Sequence, residues 1–68
     1  MAKDWIKFDL GKAWYGGIIH VRISMIQAVT KNPSEEGESL VYLMVDNAIE
    51  VLGTPEEIME MIDARTSS

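Results

Sequence analysis

The chain is 68 residues long, 47% hydrophobic and free of Cys, a length at which a single core seldom supplies more than roughly 3–5 kcal/mol and small folds rely on an extra staple. A disulfide is excluded, and with His20 the lone imidazole and no thiolate beside it a structural zinc site has no ligand set, so association between copies is the expected staple. Eleven Asp and Glu against six Lys and Arg give a net charge of −5, which repels a phosphate backbone and lacks the basic footprint of a nucleic-acid binder.

Residues 5–10 alternate, with Ile6, Phe8 and Leu10 on one face, which reads as a half-buried strand. Residues 11–17 hold Trp14-Tyr15-Gly16-Gly17, a turn that presents two aromatic side chains. A second strand follows over 18–23, with Ile19, Val21 and Ile23 on its apolar face and Ile18, His20 and Arg22 on the other, and the two strands are expected to form a hairpin. Residues 24–30 match neither period, and the reading here is a one-turn bend capped by the Ser24 hydroxyl, then a short strand over 27–30. Asn32-Pro33, Glu35, Glu36, Gly37 and Glu38 mark 31–38 as a mobile loop.

Alternation returns over 39–46, with Val41, Leu43 and Val45 on one face and Leu40, Tyr42 and Met44 on the other. Both faces are apolar, so both need cover, and one short helix can cover only one. Asp46 and Asn47 tolerate a positive φ and predict a tight hairpin to a strand over 48–52. A complete helix start then appears: Thr54 as cap, Pro55 in the first helical position, and Glu57 placed to close a capping box. The helix is expected over 54–65, with Ile58 and Ile62 on its core face, Met59 and Met61 flanking, and Glu56, Glu57, Glu60 and Asp63 in water, while 64–68 frays. The fold class is therefore α+β: one domain over 1–68, a small antiparallel β-meander of four to five strands with one C-terminal α-helix.

No apolar run approaches the roughly eighteen residues of a membrane span, and no signal-peptide core opens the chain. A soluble, cytoplasmic protein with no membrane partner is expected.

Nucleophilic catalysis would have to be built around His20 alone, with acidic partners that the pattern does not identify, so no catalytic residue is assigned. Glu56, Glu57 and Glu60 are explained by the helix start and its dipole. The loop acids Glu35, Glu36 and Glu38 lack the alternating oxygen ligands of a calcium loop, and neither a metal nor a cofactor is expected. Three surfaces remain. Trp14 and Tyr15, beside a flexible turn, are either folded back over the sheet or offered to a partner, and with Tyr42 and Met44 on the second apolar face of their strand they are candidates for an oligomer or partner interface. His20 and Arg22, two residues apart on one strand face, are a candidate anion-binding pair. Glu35, Glu36 and Glu38 are a candidate acidic loop for a basic partner protein.

From Ile18 onward the layout resembles the small flagellar FlbD-like family. The likeness rests on Ile18-Ile19-His20-Val21, the isoleucine-centred Met25-Ile26-Gln27-Ala28-Val29, Ser39-Leu40-Val41-Tyr42-Leu43, a turn, Ile49-Glu50-Val51, and Thr54-Pro55-Glu56-Glu57-Ile58 with Ile62. The chain departs from that layout in having Ile23-Ser24 where the family has Asn-Pro, and Asn47-Ala48 where it has a glycine-tipped turn. The resemblance implies a non-enzymatic accessory protein of bacteria or their phages and supplies no catalytic residues. The expected function is a self-associating interaction protein. The alternatives are an acidic inhibitor of a host nucleic-acid-handling or defence protein, and an oligomeric binder of a small anionic metabolite or nucleotide.

Overall fold

A computed structural model of the chain describes residues 4–44 and 47–66. Five antiparallel strands and one helix are seen among them: β1 (Trp5–Asp9), β2 (Ile18–Arg22), β3 (Ile26–Lys31), β4 (Glu38–Leu43), β5 (Asn47–Leu52) and α1 (Pro55–Thr66). The strands divide into a two-stranded sheet, β1-β2, and a three-stranded sheet ordered β3-β4-β5. The architecture is a small α+β fold.

Alternation sets which side chains point inward. Ile6 pairs with Val21 and Phe8 with Ile19, turning these four to the core, while Trp5–Arg22, Lys7–His20 and Asp9–Ile18 pair on the outward face. Beyond β1 the chain crosses to the other sheet, where Leu10 bridges to Val51 and the Gly11 N–H donates to the Glu50 carbonyl at 2.8 Å. A 3-10 turn at Lys12–Trp14 then reverses it, ending on Tyr15 in the left-handed region at φ 61°.

Between the sheets a second 3-10 turn, Ile23–Met25, redirects the chain. It begins one residue before the expected bend, its cap position is Arg22 rather than Ser24, and that position makes no side-chain hydrogen bond. β3 starts at Ile26, and its register against β4 shifts between Ile26 and Ala28. The extra residue of this bulge, Gln27, accounts for the mixed periodicity, since it lets Ile26 pack against the core while Ala28 points outward.

The expected loop is shorter than its sequence implies. Lys31 closes β3 and Glu38 opens β4, and the intervening turn is anchored by Asn32, whose Oδ1 accepts the Ser34 N–H at 2.9 Å. β4 pairs with β5 from Glu38–Leu52 to Leu43–Asn47, so β5 begins one residue earlier than expected. Val45 and Asp46, expected in the fourth strand and at the hairpin tip, lie outside the described residues.

The capping box forms as read: the Thr54 N–H donates to Glu57 Oε1 at 2.9 Å and the Glu57 N–H to Thr54 Oγ1 at 3.2 Å. Gly53 leads into it at φ 117°, a conformation that disfavours any side chain. The helix runs to Thr66, whose hydroxyl donates to the Ile62 carbonyl, and Arg65 donates to the Trp5 carbonyl at 2.8 Å; residues 67–68, the rest of the end expected to fray, lie outside the described residues. Ile58 seals the core with Ile6, Phe8, Val21, Val41, Ile49 and Val51, and Ile62 packs against its margin. Helix and hairpin thus cover one face of β3-β4-β5.

Candidate interaction surfaces

The opposite face of that sheet is open. Tyr42 stands between Ala28 and Ala48 on the neighbouring strands, both exposed, so its ring rises from a floor of small side chains. It is 40% exposed, and Met44 at the end of β4 is 64% exposed. Of the three residues of the apolar second face, Tyr42 and Met44 are therefore on the surface and Leu40 is half-buried.

At its other end the same face carries a polar cluster that covers itself. Glu38, expected in the exposed acidic loop, is 5% exposed. The physical reason is non-local: the β1-β2 connection passes directly over it, and the Lys12 N–H donates to Glu38 Oε2 at 3.0 Å. The backbone comes close enough at Gly11 that a Cβ there would displace the Glu38 carboxylate. From the other side the Asn32 amide donates to Glu38 Oε1 at 3.4 Å and to Glu50 Oε1 at 3.0 Å, so its two N–H groups serve two carboxylates. Next in sequence, buried Ser39 donates to the Gly53 carbonyl at 2.7 Å. Glu35 and Glu36 stay on the turn, half-buried and exposed respectively, but Glu38 is a structural pin and offers no charge to a partner.

The tip of the β1-β2 connection presents Trp14, half-exposed, and Tyr15, 98% exposed. An aromatic residue in the left-handed region pays roughly 1–2 kcal/mol in local strain. Nothing within the described residues packs that ring away from water.

His20 and Arg22 lie on the outward face of β2, and the register adds Lys7 directly opposite His20 and Trp5 directly opposite Arg22. The Arg22 guanidinium sits over the Trp5 ring, 5.0 Å from its centroid, in a cation–π contact. Where this face meets α1, a groove of about 500 Å³ opens, walled by Trp5 and Met61 and bearing Lys7, His20 and Arg65. Sequence reasoning missed Trp5, Lys7, Met61 and Arg65 here. Alternation alone places Trp5 and Lys7 opposite the core residues Ile6 and Phe8, but their alignment with His20 and Arg22 needs the hairpin register.

Among the described residues no group of three or more His, Cys, Asp and Glu is arranged to hold a metal ion, and no helix is long and apolar enough to cross a membrane. Every buried side-chain nitrogen and oxygen among them has a hydrogen-bond partner. No family model matches the chain, and no curated protein or solved structure matches it either.

Proposed function

We propose that this chain is a small, non-enzymatic cytoplasmic interaction protein that acts as a self-associated unit, two copies meeting through the open face of β3-β4-β5. The observation that carries this reading is the exposed Tyr42 between two alanines, with Met44 beside it. Small flanking side chains let a second sheet approach closely, and a rigid aromatic ring supplies contact area at little cost in side-chain entropy. Self-association also answers the shortage of core in so short a chain with no covalent or metal staple. The resemblance of the sequence to the FlbD-like family accords with an accessory role of this kind. The acidic-inhibitor alternative is left with Glu35 and Glu36 on its loop, because Glu38 is committed to the fold.

If folding is coupled to association, the melting temperature rises with protein concentration by mass action. Thermal unfolding from low to high micromolar concentration is expected to show that rise for the wild type and to lose it for Tyr42→Glu, which places a charge at the centre of the contact. A wild-type melting temperature that does not move with concentration contradicts the proposal.

A further inference from the structure

We infer that the groove between the β1-β2 hairpin and the end of α1 binds a planar aromatic anion of mononucleotide type. The first support is charge. The chain carries −5 overall, yet every ionisable residue lining this groove, Lys7, His20 and Arg65, is of the basic kind, and none of the described lining residues is acidic. Asp9 stands on the same outward face of β1 but does not line the groove.

The second support is the placement of these groups. Lys7 and His20 are directly opposed across the hairpin, with Arg22 two residues further on the same face. The Lys7 ammonium and a ring N–H of His20 are both donors, and their opposed positions let one anion accept from both strands at once.

The third support is the wall. Trp5 and Met61 give the groove an apolar side suited to a flat ring, and Trp5 is held from two directions, its indole under Arg22 and its carbonyl by Arg65. A volume of about 500 Å³ falls within the roughly 300–1,000 Å³ typical of small-molecule sites. A base stacked on the wall and a phosphate between Lys7 and His20 would use both halves, which inorganic phosphate or a bare nucleoside cannot.

The test uses the full chain with Trp14→Phe, which leaves Trp5 as the sole indole. Its fluorescence is followed against adenosine monophosphate, adenosine, inorganic phosphate and an acidic peptide. The monophosphate is expected to give a saturable change, with adenosine and phosphate each at least about tenfold weaker, the ratio brought by one charge-assisted hydrogen bond. Lys7→Glu and His20→Glu are expected to weaken the monophosphate by a similar factor. Both positions are exposed, and unchanged circular dichroism confirms that the variants fold. Equal binding of phosphate alone, tighter binding of the acidic peptide, or no saturable response to the monophosphate overturns the inference. So does a Lys7→Glu variant that changes only the mass of the protein in solution, because the face would then be a contact between chains.

Discussion

Asn32 and Glu38 show how one buried pair joins the two sheets. The Asn32 amide reaches both Glu38 and Glu50, and Glu38 reaches across to the Lys12 backbone, so hairpin, turn and three-stranded sheet meet at a single carboxylate. Glu38→Ala leaves the Lys12 N–H and one amide hydrogen of Asn32 without acceptors, and a buried donor left unpaired costs about 1–3 kcal/mol. Urea unfolding is expected to show a loss of that size, and a midpoint equal to the wild type would mean that the crossing contributes nothing. Glu38 reads as a loop acid in the sequence because Glu35, Glu36 and Gly37 precede it. Its burial depends on Gly11 and Lys12, far away in the chain, and no local pattern carries that information.

Elements whose signals are local were the legible ones. The box between Thr54 and Glu57 is written in adjacent residues and forms as expected, and the alternation of β1, β2 and β4 correctly turns Ile6, Phe8, Val21 and Val41 inward. Thr54→Ala removes the acceptor for the Glu57 N–H and is expected to cost about 1 kcal/mol, with a matching fall in thermal stability. An unchanged melting temperature would show that docking of Ile58, rather than the cap, holds the helix start. β3 was legible only in part, because a bulge at Gln27 breaks the period that a single strand displays. The break into two sheets was likewise hidden, since it depends on the 3-10 turn at Ile23–Met25 and on the Leu10–Val51 bridge. The groove beside Trp5 requires both the hairpin register and the docking of α1, so the sequence reveals His20 and Arg22 without their neighbours.

For the whole molecule the governing feature is unequal cover. One helix and one hairpin shield the inner face of β3-β4-β5, and the outer face divides into a polar end sealed by Asn32 and Glu38 and an apolar end at Tyr42 that is left open. A specific dimer buries at least about 1,200 Å² in total, or about 600 Å² from each copy, against 4725 Å² of accessible surface on one chain. The charged surfaces lie elsewhere, on the exposed helix acids Glu56 and Glu60 and on the hairpin face of Lys7 and Arg22, so the proposed pairing through Tyr42 would leave them uncovered. Sedimentation equilibrium at micromolar concentration tests this arrangement most directly. A mass of twice the 7.6 kDa chain, falling to a single chain in Tyr42→Glu, is the predicted result, and a wild-type protein that remains folded at the mass of one chain would contradict it.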